Sequence, residues 1–226
     1  MDIEKKRLIA GILAFGSLWG FSECILGTLL HDANLPAGTI MTGFVAVGLM
    51  SLSRILFQQK GMQLGMGLVA GTLRLLDPFG GCFICSAFAI IAEGALFELI
   101  ALKISFNLQD LTSKKIQVSI GIITAYTMYI GGYLITQILT PLLSSAGFSL
   151  RNLIVFIPSI LARGFIAALL GGCILPMMVF VLQKQKLSIK DAFYYPATIS
   201  ISVVCWMSVI INALIHLSYC ITCNMS

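Results

Sequence analysis

Four cysteines of the chain fall into two C-x-x-C pairs, Cys82 with Cys85 and Cys220 with Cys223. Two such pairs hold a tetrahedral metal ion when their soft thiolates converge on one point. In an oxidising compartment the same residues form disulfides, and an activated thiol in such a pair does redox chemistry. Cysteine is also a small apolar packing residue, and Cys24, Cys173 and Cys205 widen that reading. A second set of reactive side chains lies inside long apolar runs: Glu23, Arg54, Arg74, Glu93, Glu98 and Arg163. A charge in an apolar run is costly, and marks either a binding site or an ion pair that fixes packing. The two histidines, His31 and His216, stand near the ends of such runs.

The elements that must position these groups follow from composition. The 226 residues are 58% hydrophobic and 10% charged, with a mean hydropathy of +1.00. A soluble domain carries about 25% charged residues and needs a polar shell that this chain lacks. The composition therefore predicts an all-α, polytopic transmembrane helix bundle of six to seven spans in a single domain, residues 1–226. Seven apolar segments run over 8–30, 38–57, 61–76, 82–101, 116–140, 152–182 and 197–217. The third is short for a crossing. The sixth contains Pro158 and Pro176, which predicts a tilted, kinked or broken helix. The first follows Lys5, Lys6 and Arg7 but exceeds a signal core and has no small-x-small cleavage site, so it reads as an uncleaved span.

Lysine placement orders the spans. Lys5 and Lys6 precede the first segment, and Lys60 separates the second and third. Lys103, Lys114 and Lys115 separate the fourth and fifth, and Lys184, Lys186 and Lys190 the sixth and seventh. Strict alternation puts every lysine on one side, which the positive-inside rule makes cytoplasmic. The expectation is a multi-pass cell-membrane protein with its N-terminus inside and its C-terminus outside. The net charge of +5 is accounted for by these flanks, and no basic stripe remains for nucleic acid. The lipid bilayer is the first partner.

Depth along each span sorts the charges, at about 1.5 Å per residue. Glu23 falls past the middle of the first span, and Glu93 and Arg163 fall near the middle of theirs. Arg54 and Glu98 lie near cytoplasmic ends, and Arg74 near an outer end. Depth matching pairs Arg54 with Glu98, and Arg163 with Glu93 or Glu23. Snorkelling accounts for Arg54 and Arg74, but gives no route to water for a midplane charge. The outer face collects His31, Asp32, Asp77, His216 and both C-x-x-C pairs. The stretch 31–38 reads as a turn able to form a lid, and Leu75 to Gly81 as an ordinary outer turn. Small residues four apart put close-packing faces on helices: Ala10 with Ala14, Gly16 with Gly20, Gly61 with Gly65, and Gly67 with Gly71. No Walker motif, G-x-S-x-G elbow or H-E-x-x-H occurs. The chain reads as having no ATP site and no enzyme constellation, and no cofactor is specified.

The run from Gly16 through Trp19 to Glu23, the turn with His31 and Pro36, the stretch Leu73-Arg74-Leu75-Leu76-Asp77, and the run from Ile91 through Glu93 to Glu98 form a set. Together they resemble proteins related to the substrate-binding S components of energy-coupling-factor transporters. Ala10-x-x-x-Ala14 resembles the first-helix contact motif of those proteins. The resemblance covers residues 8–101 and implies a pocket near the outer face. It also implies a transmembrane scaffold subunit and ATPases on other chains. A seventh segment departs from the six helices usual in that family. The resulting expectation is a substrate-capture subunit for a small vitamin-like molecule or a metal ion, with Glu23, His31, Asp77, Glu93 and Arg163 binding substrate. Two rival readings are a metal-handling or thiol-redox protein using Cys82, Cys85, Cys220 and Cys223, and a membrane assembly factor.

Overall fold

Long apolar runs cannot leave backbone N–H and C=O groups unpaired in lipid, so each run closes its hydrogen bonds internally as a helix. The computed structural model describes residues 3–77, 83–104, 113–143, 150–184 and 191–224, and every regular element among them is helical. We number the helices α1 Ile3–Asp32, α2 Ala37–Phe57, α3 Met62–Leu75, α4 Phe83–Ile104, α5 Lys114–Leu143, α6 Leu150–Lys184 and α7 Asp191–Asn224. All but α3 are long and apolar enough to cross a bilayer, which makes the chain a multi-pass membrane protein. The sixth apolar segment is one continuous helix despite Pro158 and Pro176.

Contacts fix the direction of each helix. Gly16 and Gly20 of α1 lie against Val69 and Leu73 of α3, so these two run parallel. The start of α3 meets the end of α4 through Glu98, and Arg74 near its end meets Ser86 near the start of α4. Glu93 of α4 packs on Gly132 of α5, and Gly121 of α5 on Gly171 of α6, both antiparallel pairs in register with the others. Helix α7 runs parallel to α1: the Tyr194 hydroxyl donates to the Arg7 carbonyl at 3.0 Å, and Trp206 Nε1 donates to Ser17 Oγ at 3.0 Å. The seven helices therefore alternate in direction, and the lysine-bearing helix ends gather at one end of the bundle.

Helix α3 sits between α1 and α4. Its Met62, Met66 and Leu73 have no exposure. Small residues on both sides allow this. A Cβ added to Gly94 would lie 2.7 Å from the Gln63 carbonyl oxygen and 3.0 Å from the Gly67 Cα. That is backbone against backbone, which only glycine permits.

Two polar details fix where α3 begins. Gly61 has φ +85°, a left-handed conformation that glycine adopts without penalty. The Glu98 carboxylate then caps the helix, accepting from the Gly61 N–H at 2.9 Å and the Gln63 N–H at 3.1 Å. A carboxylate at that position satisfies orphan donors and complements the helix dipole. Glu98 is therefore not the partner of Arg54. Arg54 Nη1 donates instead to the Gln59 carbonyl at 3.1 Å, just beyond the end of α2.

Candidate functional site

Fourteen residues at 1.5 Å each make α3 about 21 Å long, well short of the roughly 30 Å of hydrocarbon. It starts at the lysine-bearing end, so it stops below the other surface. Helix α1 does not stop there. Cys24 packs level with the Leu73 carbonyl, and α1 continues to Asp32, about 12 Å further. The space above the end of α3 is a cavity of about 620 Å³. Its walls come from α1, α2, α3, α4, α5 and the end of α7. That volume suits a small organic molecule.

Two carboxylates from separate helices line the cavity. Glu23 comes from α1, where Trp19 Nε1 donates to its Oε1 at 3.1 Å. Trp19 is fully buried, so its ring fixes that oxygen. Glu93 comes from α4, ten residues or about 15 Å below Phe83, and is 7% exposed. The Thr42 hydroxyl donates to Glu93 Oε1 at 2.8 Å. Each carboxylate has one hydrogen-bond donor on Oε1 and no ion-pair partner within 4 Å among the described residues.

Thr42 lies in a π-helical turn, Met41–Ala46, inside α2. The wider turn seats Gly43 against the Ala167 backbone of α6 while Thr42 reaches Glu93. Such turns recur at functional sites. No apolar periodicity or residue type announced this one in the sequence, so Thr42 was missed.

The nearest cation is Arg74, which is buried and lines the cavity. Its Nη1 pairs with Asp77 Oδ2 at 2.9 Å, and its Nε donates to Ser86 Oγ at 3.4 Å. Arg74 and Glu23 line the same cavity. Snorkelling does not describe Arg74, because its guanidinium is turned inward and paired. Asp77 is 1% exposed, pairs with Arg74 and does not line the cavity.

His31 and Asp32 stand at the rim, with Nδ1 and Oδ1 3.7 Å apart and both side chains exposed. The chain turns there because Asn34 takes φ 57°. The Asn34 N–H then bonds the His31 carbonyl and the Leu35 N–H the Leu30 carbonyl, both at 2.9 Å. These paired bonds close α1 in a Schellman motif. The expected lid turn thus lies at the mouth, and Ala37 and Gly38 continue the wall. His216 reaches the same cavity from α7.

Arg163, like Asp77, does not line the cavity. It lies on the exposed side of α6, away from the cavity and without an ion pair to Glu23 or Glu93. Its neighbour Gly164 packs on Tyr126 and Tyr129, and Ala167 is buried beside Gly43. Those contacts fix the helix rotation and turn residue 163 outward. Depth matching carried no information about rotation.

Cys85 lines the cavity and is disulfide-bonded, and its sulfur accepts the Thr140 hydroxyl at 3.3 Å. A disulfide sulfur is not a thiolate ligand. Cys82 and the side chains of Cys220 and Cys223 lie outside the described residues. Among the described residues no three His, Cys, Asp or Glu side chains gather closely enough to hold a metal ion.

Comparison with known proteins gives no match to a family model, a curated protein or a solved structure.

Proposed function

We propose that the chain is a membrane-embedded substrate-capture subunit for uptake of a small molecule. The observation that carries this reading is the cavity above the truncated α3, with Glu23 and Glu93 turned into it. A protein that only scaffolds others has no need of a cavity lined by two carboxylates without an ion-pair partner among the described residues, and ionisable groups inside spans mark binding sites by default. The absence of a Walker motif from the sequence fits a subunit that borrows ATPases and a transmembrane scaffold from other chains.

The orientation proposed is N-terminus cytoplasmic, C-terminus outside, in the cell membrane. Two independent features support it. The lysines gather at the end opposite the cavity. The disulfide at Cys85 belongs to the cavity end, and disulfides persist in oxidising compartments. The cavity then faces outward, as capture requires.

The test is to purify the full chain in mild detergent, denature it, and identify released small molecules and co-purified chains by mass spectrometry. A stoichiometric small molecule that is lost from a variant with a filled cavity, such as Gly132→Leu, is the expected result. Purification with partner chains alone, and no small molecule, would instead favour an assembly factor.

A further inference from the structure

The cavity holds more than space, because its charges are unbalanced. Glu23 and Glu93 come from separate helices and face one volume. Glu93 is more than nine-tenths buried. Its Oε1 takes the Thr42 hydroxyl, and its Oε2 takes no partner among the described residues. Glu23 Oε2 is in the same position. The one described arginine on the wall, Arg74, is committed to Asp77 at 2.9 Å. Among the described residues no lysine lines the cavity. An anion entering would meet two carboxylates and a guanidinium already paired. A bare metal ion would find no cluster of three ligating side chains among the described residues, and a volume of about 620 Å³ is far larger than an ion fills. Part of the wall is apolar and aromatic: Met41, Ile90 and Tyr133 line it beside the hydroxyl side chains of Thr28, Ser86, Thr136 and Thr140, and the Tyr133 ring packs 4.8 Å from that of Tyr129.

We propose that the cavity takes a small organic cation, with a compact protonated amine or similar head between Glu23 and Glu93 and an apolar body against Met41, Ile90 and Tyr133. This rests on the reading of the chain as a capture subunit and names the substrate class of that site. The physical logic is mutual. Two ionised carboxylates lining one low-dielectric site repel, and a cation between them relieves the repulsion while donating charge-assisted hydrogen bonds to the Oε2 atoms. The Trp19 and Thr42 donors pin the Oε1 atoms, so the free oxygens are oriented before the ligand arrives. His31 and Asp32 at the rim extend the polar path to the surface.

The experiment uses the full chain in detergent micelles or nanodiscs and a charge-matched probe set on one frame: 3-phenylpropylamine, 3-phenylpropanol and 3-phenylpropionate. Binding is followed by titration calorimetry and by the shift in thermal unfolding midpoint. In parallel, the charge of any molecule released from the denatured protein is determined by mass spectrometry. The amine is expected to bind, and Glu93→Gln and Glu23→Gln are each expected to weaken it about 10- to 100-fold, the range for a hydrogen bond to a charged group. A released molecule is expected to be cationic. Should either variant fail to elute as a single species, the probe series on the unsubstituted chain decides. Binding of the alcohol or the carboxylate as tightly as the amine overturns the cation class and leaves small-molecule capture standing. So does a neutral or anionic released molecule, or amine binding that neither variant weakens. No released molecule and no binding by any probe removes the capture reading as well.

Discussion

Replacing Asp77 with alanine isolates the charge pair that closes α3. Arg74 Nη1 and Asp77 Oδ2 are 2.9 Å apart, and their side chains are 9% and 2% exposed. Both charges are thus largely out of water, and little solvent stands ready to replace the lost carboxylate. Breaking a buried pair by removing one partner costs about 3–5 kcal/mol, because the other charge stays buried. For a domain of this length each kcal/mol moves the unfolding midpoint by about 2–4 °C. Asp77→Ala should therefore lower the apparent midpoint by about 6–20 °C, read as loss of the monodisperse peak on heating in detergent. The double variant Arg74→Met with Asp77→Leu removes both charges and keeps the volume filled. Such replacements are often neutral or better, so it should recover most of the loss. The reasoning fails if Asp77→Ala unfolds within about 2 °C of the parent, or if the double variant is no more stable than the single. Arg74 also lines the cavity, so the double variant separates the stability of α3 from the electrostatics around Glu23.

Three further outcomes follow from the packing. Gly94→Val pushes a branched side chain onto the backbone of Gln63 and Gly67, which cannot yield as a side chain can; a loss of about 1–3 kcal/mol or more is expected, seen as a lower unfolding midpoint and yield. Glu98→Ala removes the acceptor for two α3 N–H groups and should cost about 0.5–2 kcal/mol, with Glu98→Gln intermediate; equal midpoints for all three proteins would refute the cap. A cysteine at position 31 should react with a membrane-impermeant thiol reagent on intact cells, and one at 114 only after lysis. The reverse pattern inverts the orientation.

What was legible in the sequence was position along each helix. Lysines at the breaks gave the alternation, and the alternation is what the helix contacts return, from Gly16 against Val69 to Gly121 against Gly171. The segment limits differ from the helices by a few residues for α1 to α6. Helix α7 differs more, starting six residues before the seventh segment and ending seven residues after it. The short third segment was also visible, and so were the small-residue faces that flank it. Rotation about each helix axis was not legible. Glu93 and Arg163 share a depth, yet one faces the cavity and the other the outside. Depth counts residues, whereas rotation is set by which small residue meets which neighbour, and that is a property of two chains of side chains together.

The same limit explains the mistaken partner of Glu98 and the hidden role of α3. A carboxylate near an arginine at equal depth reads as an ion pair, because charge is conspicuous in sequence. The competing partners were backbone N–H groups at the start of a helix, which every helix has and no letter marks. Once Glu98 is seen as the cap, the start of α3 is fixed at the lysine-bearing end, and its 14 residues determine where it stops. Its end then carries Arg74 and Asp77 into the interior instead of to the surface, and leaves α1 and α5 to wall an opening that α3 does not fill. On this account the cavity is a consequence of helix length. Lengthening α3 by one turn after Leu75 adds about 5 Å directed into the space beside Glu23. Such an insertion should abolish binding of a ligand held by Glu23 and Glu93 while sparing the α1–α3–α4 packing below. Retained binding in a folded insertion variant, measured by the same calorimetry, would show that the cavity does not depend on where α3 ends.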